Sequence, residues 1–136
     1  MKPSVLAEFW RIVQFGIVGV SATTTHILVA LVLIRHAGML PLIANTLAYL
    51  SAFWISFAGN YLWTFKANTP VWDSMARFFF ISGMAFIINT LLLGVLLWGG
   101  MQPQWAALSA AVVVPPVSYL ASRYWAFRRP HRQVPD

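Results

Sequence analysis

A small group of cations at the ends of apolar runs points to one chemistry, the binding of a phosphate in the lipid headgroup layer. Arg123 is the most informative of them, because it precedes Trp125 and Phe127 and lies about one helical turn inside the predicted membrane interface. An arginine at that depth can hold a phosphate through two parallel hydrogen bonds. It can equally extend its guanidinium into the headgroups with no further function. The cations that would add to the positive field around it are Lys66, Arg77, Arg128 and Arg11.

Polar side chains inside the apolar runs form a second group. In the run at residues 42–65 they are Asn45, Tyr49, Ser56 and Asn60. At 100° per residue these four fall within about 60° of one another, so they form one stripe along the helix. The corresponding face of the run at residues 104–127 carries small side chains, Ala107, Ala111, Ser118 and Ser122. Two interpretations stay open: the two helices cross at these faces, or the polar stripe lines a translocation groove.

His26 is an ionisable group near the middle of the first apolar run. It could be a neutral hydrogen-bonding residue, a proton carrier or a ligand of a sugar hydroxyl. Asn89 falls at the corresponding position of the third run, so the two side chains are predicted to face one central space. The glycines predicted to be helix-packing positions are Gly16, Gly19, Gly83 and Gly94.

Catalytic and metal-binding patterns are absent from the sequence. Its three acidic residues, Glu8, Asp73 and Asp136, lie in terminal or loop segments and form no carboxylate pair at membrane depth. There is no metal-ligand spacing, no glycine-rich phosphate loop and no nucleophile with a neighbouring base. We therefore expect a protein that is not an enzyme and needs no cofactor or metal. The lack of an acidic residue in mid-span also argues against a proton-coupled multidrug exporter.

The composition places these residues in an integral membrane protein. Hydrophobic residues make up 60% of the 136-residue chain and charged residues 9%, with a mean hydropathy of +0.71. Soluble domains carry about 25% charged residues. The net charge of +6 does not indicate nucleic-acid binding, because the cations flank apolar runs and no solvated basic face exists. With no cysteine, disulfides are excluded. We predict one all-α membrane domain over residues 1–136.

Four uncharged or nearly uncharged runs predict four transmembrane helices, at about residues 12–34, 42–65, 78–98 and 104–127. At about 1.5 Å per residue, each can cross a hydrocarbon core of ~30 Å. The first run is too long for the hydrophobic region of a signal peptide. Cations gather in the N-terminal lead, the middle loop and the C-terminal tail, whereas the other side holds Arg35 alone. The positive-inside rule therefore predicts that both termini are cytoplasmic.

The second and fourth runs close on related sequences. Residues 60–66 are Asn-Tyr-Leu-Trp-Thr-Phe-Lys, and residues 122–128, 62 positions later, are Ser-Arg-Tyr-Trp-Ala-Phe-Arg. Both place aromatic rings before a cation, as at the headgroup end of a membrane helix. The predicted interface aromatics are Trp63, Trp125, Tyr61 and Tyr124. We predict two helical-hairpin repeats, at about residues 12–66 and 76–129, parallel about an axis along the membrane normal.

Four motifs together resemble the GtrA-like family of small four-span bacterial membrane proteins. They are Phe-Gly-Ile-Val-Gly at 15–19, Asn-Tyr-Leu-Trp-Thr-Phe at 60–65, Arg-Phe at 77–78 and Ser-Arg-Tyr-Trp-Ala-Phe at 122–127. The family pattern at the closing motifs is similar to Asn-Arg-x-Trp-x-Phe. This chain departs from it at Tyr61, where Arg is usual, and at Ser122, where Asn is usual. His26 also stands where many relatives carry Asp.

The resemblance implies a flippase of the bacterial cytoplasmic (inner) membrane. Its expected substrate is a polyprenyl-phosphate-linked monosaccharide, used to glycosylate O-antigen, teichoic acid or another surface polysaccharide, and its expected partner is a membrane glycosyltransferase. In this hypothesis the lipid-phosphate-binding residues are Arg123, Lys66, Arg77 and Arg128. The sugar path comprises Asn60, Asn45, Tyr49, His26, Asn89 and Ser56.

Four helices enclose little space, so we expect a homodimer or a larger assembly in contact with membrane lipids. One alternative function is an accessory subunit of a glycosyltransferase that moves no lipid. A second alternative is a small multidrug-type proton antiporter that depends on His26.

Overall fold

Four long helices account for most of the chain. The computed structural model describes residues 4–128, together with all their side chains except that of residue 111. The α-helices are α1 (Val5–Arg35), α2 (Pro41–Gly59), α3 (Val71–Trp98) and α4 (Pro103–Ala121). Two π-helices, π1 (Asn60–Thr64) and π2 (Ser122–Ala126), continue α2 and α4.

Each of the four helical segments is long and apolar enough to cross a membrane. They contain 31, 24, 28 and 24 residues when the π-helices are counted with α2 and α4. At 1.5 Å per residue, 24 residues extend about 36 Å, more than the ~30 Å hydrocarbon core. The prediction of an all-helical, four-span membrane protein is therefore confirmed. Large apolar side chains such as Leu42 (79% exposed) and Trp98 (92%) cover the outside, as expected of a surface that faces lipid.

The first helix begins earlier than its apolar run predicted. The hydroxyl of Ser4 accepts a hydrogen bond from the backbone N–H of Ala7 at 3.2 Å and so caps the start of α1. Glu8 and Arg11 form an ion pair at 3.5 Å in the first turns. Hydropathy detects the part of a helix that lies in the hydrocarbon core. It therefore did not detect the more polar first turns of α1, which lie outside the core.

The chain divides into two compact units, Met1–Ala67 and Asn68–Asp136. The first contains α1, α2 and π1, and the second contains α3, α4 and π2. Each unit is a helical hairpin with a tight turn, in which Gly38 (φ 62°) and Gly100 (φ 84°) adopt the left-handed conformation that ends many helices. Pro41 and Pro103 then begin the returning helices, where a missing backbone donor costs nothing.

Alanines four residues apart are buried on the returning helix of each hairpin. Ala44 and Ala48 of α2 are fully buried, and so are Ala106 and Ala110 of α4. Small side chains at this spacing allow helices to approach closely. The small-residue face predicted for the fourth span is therefore wrong by one residue at Ala107. Ala107 is exposed, and its neighbour Ala106 is the buried residue.

Close helix approach in the first hairpin occurs at a glycine that the sequence did not single out. A Cβ on Gly59 would lie 2.8 Å from both γ-carbons of Val18. At Gly16, Gly19, Gly83 and Gly94 a Cβ would meet no atom within 4 Å. The prediction that these four glycines pack helices together is therefore wrong for the contacts within each hairpin.

Candidate functional site

An aromatic pair closes the open end of each hairpin. In the first unit the rings of Phe15 and Phe65 meet edge to face, with centroids 6.3 Å apart. In the second unit the rings of Phe78 and Phe127 are 5.5 Å apart. Each pair joins the first helix of its hairpin to the residue that follows the π-helix. The predicted closing motifs therefore lie beside the segments that open each hairpin.

Arg77 ties the opening of α3 to π2. Its Nη1 donates a hydrogen bond to the backbone carbonyl of Trp125 at 3.3 Å, across 48 residues of sequence. The guanidinium is exposed and has five N–H donors, so this bond leaves other donors for a ligand. The contact also places Arg77 beside the π-helix that carries Arg123.

Arg123 lies in the first turn of π2 and is half-buried. Its Cζ lies 5.2 Å from the centroid of the Tyr124 ring, within the range of a cation–π interaction. Arg128 follows Phe127 and is exposed. The open end of the second hairpin thus carries three of the four predicted phosphate-binding residues, Arg77, Arg123 and Arg128.

Lys66, the fourth predicted phosphate-binding residue, belongs to the first unit. It comes after Phe65, the residue that ends π1, is exposed, and has a φ of 45°, which a residue with a Cβ adopts at a cost of about 1–2 kcal/mol. The backbone N–H of Ala67 donates to the carbonyl of Tyr61 at 2.8 Å and closes this turn. The side chain of Lys66 thus extends from a tight backbone turn at the open end of the first hairpin.

Both π-helices begin with a buried polar residue. Asn60 is 1% exposed and Ser122 is 0% exposed, and they stand at the same position of the repeated motif. Asn60 Nδ2 donates to the backbone carbonyl of Ser56 at 2.9 Å. Within residues 4–128, the Oδ1 of Asn60 and the hydroxyls of Thr64 and Ser122 have no hydrogen-bond partner. π-Helical turns of this kind are frequent at functional sites.

His26 and Asn45 are two members of the predicted sugar path whose side chains meet between the helices of the first hairpin. The Nε2 of His26 lies 3.1 Å from the Oδ1 of Asn45. Asn45 is in the second turn of α2, so the pair lies toward the tight turn of the first hairpin. About 22 Å of helix separate Asn45 from Asn60. The predicted path residues of the first hairpin are therefore spread along the span and do not form one cluster.

The other predicted path residues differ in exposure. Tyr49 is exposed, whereas Ser56 is half-buried and gives its backbone carbonyl to Asn60. Asn89 is half-buried on α3, in the second unit. A central space shared by His26 and Asn89 stays a prediction.

Three of the four predicted interface aromatics are exposed. Trp63, Tyr124 and Trp125 are 43%, 60% and 45% exposed and lie in the π-helices at the open ends. Tyr61 is half-buried, with its ring 5.5 Å from that of Phe57. Aromatic side chains at a span end are suited to the headgroup layer, where an apolar ring and a polar atom are both accommodated.

The sequence did not predict an apolar groove of about 180 Å³ in the second unit. Residues of α3 and α4 line it, and Trp125 lies at one end. Ser118 and Ala121, two of its lining residues, have small side chains that are also typical of close helix packing. Small side chains on one face of a helix are therefore compatible with close helix packing and with an open groove.

No group of three or more His, Cys, Asp or Glu side chains capable of holding a metal ion occurs among the described residues. In the second hairpin, cations and aromatic rings lie at the open end, a buried hydroxyl lies in π2, and apolar groups line the groove. This arrangement suits binding of an amphiphilic anion.

Two comparisons relate the chain to known proteins. A family model described as the GtrA/DPMS transmembrane domain matches residues 14–127. The chain is also similar to the "Cell wall teichoic acid glycosylation protein GtcA" of Listeria innocua serovar 6a, with 29% identity over 91 residues. That alignment covers 63% of this chain and 63% of the relative, so the chain matches less than two thirds of the relative's length.

Proposed function

The chain belongs to the GtrA/DPMS transmembrane-domain family, and from that premise we propose that it is a flippase or flippase subunit. Its proposed substrate is a polyprenyl-phosphate-linked monosaccharide, which it moves from the inner to the outer leaflet of a bacterial cytoplasmic membrane. The sugar then glycosylates a cell-surface polymer. The name of its teichoic acid glycosylation relative supports that last step.

One observation carries the proposal, the hydrogen bond from Arg77 to the carbonyl of Trp125. It places Arg77 of α3 beside π2, the segment that carries Arg123, at one end of a membrane-spanning hairpin. A phosphate there would meet Arg77, Arg123 and Arg128, and arginine forms bidentate hydrogen bonds with phosphate. Lys66 would add charge from the first hairpin. The aromatic residues would hold this end of each hairpin in the headgroup layer.

The sugar needs hydrogen-bonding groups along its way, because each unpaired hydroxyl in hydrocarbon costs free energy. Polar side chains are spread along the first hairpin and would supply these hydrogen-bonding groups one after another. From the open end they are Asn60, Ser56, Tyr49, Asn45 and His26. Asn89 would do so from the second hairpin. In this mechanism the residues pair successively with the hydroxyls, and no covalent step is required of the protein.

Partners follow from the chemistry of the substrate. A membrane glycosyltransferase must make the lipid-linked sugar on the cytoplasmic side, so we propose that the protein works beside one. We also propose that it acts as a homodimer or larger assembly, since a single set of four helices encloses little space for a sugar.

Transport by the purified protein in proteoliposomes tests the proposal. The substrate is undecaprenyl phosphate glucose, and its exposure on the outer surface is followed by periodate oxidation. Loss of hydrogen bonds to a charged group costs about 1.5–3 kcal/mol, so Arg123→Ala should slow movement by roughly one to two orders of magnitude. The transport rate of Arg123→Lys should lie between the rates of the unchanged protein and of Arg123→Ala, because lysine keeps the charge but not the bidentate geometry.

Arg35→Ala is the matched control, since Arg35 ends α1 at the tight turn, away from the open end. Its transport rate should equal that of the unchanged protein. All variants must elute as a single species of the same size in detergent. If Arg123→Ala transported the substrate at the rate of the control, Arg123 would not be a phosphate-binding residue.

A different result would favour an accessory role in glycosylation. In that case the purified protein moves no lipid, yet its removal from cells abolishes glycosylation of the surface polymer. The name of the teichoic acid glycosylation relative is compatible with either role.

A further inference from the structure

The groove of the second hairpin is apolar and open along one side. Its volume is about 180 Å³, and its lining includes Phe80, Met84, Val113 and Val117. A cavity of about 150 Å³ with apolar walls holds a benzene ring. The groove therefore has room for about one five-carbon prenyl unit at its widest part. Its lining continues along α4 and π2 for about 18 Å, from Val113 to Trp125, with one side open to the bilayer.

The groove and the cationic end of the hairpin meet at Trp125. The indole ring of Trp125 lines the groove and packs edge to face on Phe80, with centroids 5.6 Å apart. The backbone carbonyl of the same residue accepts the hydrogen bond from Arg77. A ligand that follows the groove to this residue would place its end beside the guanidinium of Arg77, next to the π-helix that carries Arg123. The geometry suits a long apolar chain with an anionic head.

The corresponding seam of the first hairpin is closed. There Gly59 allows α2 to approach Val18 so closely that a Cβ on the glycine would clash. The residues at the corresponding positions of the second hairpin are Ala121 and Ile81, and both line the groove. The methyl group of Ala121 cannot be accommodated in so close an approach. The repeated position thus holds glycine where α1 and α2 are in close contact and alanine where the groove lies.

We propose that this groove holds the prenyl chain of a polyprenyl phosphate, with the phosphate beside Arg77 and Arg123. The choice of a prenyl carrier rests on the proposed function. A single-chain lipid fits better than a phospholipid, because the groove admits one chain and a phospholipid has two chains on a glycerol. The second hairpin then holds the carrier, while the first hairpin keeps a packed seam.

The groove contributes orientation more than affinity. Lipid tails are as apolar as the groove, so moving the chain from bilayer to groove gains little from the hydrophobic effect. The arginines supply most of the binding free energy through charge-assisted hydrogen bonds. A chain held in the groove fixes the phosphate at the open end of the hairpin.

Photo-crosslinking of the full-length protein in nanodiscs tests this assignment. The probe is geranylgeranyl phosphate with a diazirine near the far end of its chain, and the labelled residues are identified by mass spectrometry. We expect labels within residues 80–88 and 113–125. Excess undecaprenyl phosphate should reduce labelling at least five-fold, whereas the same excess of phosphatidylglycerol should leave it unchanged.

Two neighbouring valines provide matched variants. Val113 lines the groove, whereas Val112 is 64% exposed and is not among the lining residues. Val113→Trp should fill the groove and reduce labelling at least five-fold, and Val112→Trp should label as the unchanged protein does. If Val113→Trp does not fold, the label positions and the competition in the unchanged protein still decide the question.

Labels confined to other residues would overturn the proposal, as would full labelling of a folded Val113→Trp variant. Equal competition by phosphatidylglycerol would also overturn it and make the groove a general acyl-chain site. This readout measures binding alone, so it is independent of transport. If the protein transports the substrate but the labels lie on other residues, the groove assignment is wrong and the flippase proposal stands. If the groove is labelled but no transport occurs, the groove assignment stands and the flippase proposal is wrong.

Discussion

His26 and Asn45 join the two helices of the first hairpin through a 3.1 Å contact between Nε2 of the imidazole and Oδ1 of the amide. A carbonyl oxygen can only accept a hydrogen bond, so Nε2 is the donor. The contact makes His26 a hydrogen-bonding residue that joins α1 to α2, and its place on the sugar path stays a prediction. It does not require the imidazole to carry a proton across the membrane.

We expect His26→Ala to lower the stability of the folded protein by about 0.6–1.7 kcal/mol, the usual worth of an interhelical hydrogen bond in a membrane protein. Asn45→Ala should have a similar effect, and the double variant should cost little more than one single variant because both remove the same bond. Equilibrium unfolding in detergent by a denaturant measures these differences. His36→Ala, an exposed residue after α1, is the control and should change nothing. Additive losses at His26 and Asn45 would show that the two side chains are not coupled.

Gly59→Ala should destabilise the first hairpin. The new methyl group would lie 2.8 Å from the γ-carbons of Val18, so α1 and α2 must separate or Val18 must change its rotamer. Overpacking of this kind costs about 1–3 kcal/mol, more than the gain of roughly 0.5–1 kcal/mol from replacing a helical glycine. A lower midpoint of unfolding in detergent would register the difference.

Gly19→Ala is the matched control for that substitution, because a Cβ at Gly19 meets no atom within 4 Å. It should be neutral or slightly stabilising through its better helix propensity. If the variants at Gly59 and Gly19 had equal stability, the two helices would not be in close contact at Val18.

The apolar runs of the sequence predicted the four spans because lipid imposes their length and composition. They could not predict that Arg77 would bind the carbonyl of Trp125, since that contact depends on how α3 pairs with α4 and on the wide turns of π2. Nor could they identify which glycine is packed. Gly16 lies in α1 and Gly59 in α2, and only the pairing of these two apolar helices shows that Gly59 is the glycine in close contact, at Val18.

Ser122→Ala should separate a structural role from a ligand-binding role at the start of π2. The Ser122 hydroxyl is buried and lacks a partner within the described residues, so its removal relieves a desolvation cost and should preserve or raise stability. If the hydroxyl binds the sugar or phosphate, the same variant should transport more slowly while remaining folded. Thr64→Val tests the corresponding case at the end of π1, because it removes another buried, unpartnered hydroxyl. A loss of stability in either variant would show that the hydroxyl has a structural partner.

The orientation of the two hairpins is open to a direct test, because the chain contains no cysteine and single cysteines can be introduced without background labelling. Ala37 and Met101 lie in the tight turns of the first and second hairpins, and Asn68 lies in the connection between the hairpins. The excess of Lys and Arg at the open ends predicts that this connection is cytoplasmic. A membrane-impermeant maleimide should therefore label Ala37→Cys and Met101→Cys in intact cells, and Asn68→Cys only after permeabilisation. All three must react in detergent, which shows that the thiols are accessible. Labelling of Ala37→Cys and Met101→Cys from opposite sides would exclude parallel hairpins, and labelling of Asn68→Cys alone in intact cells would reverse the orientation.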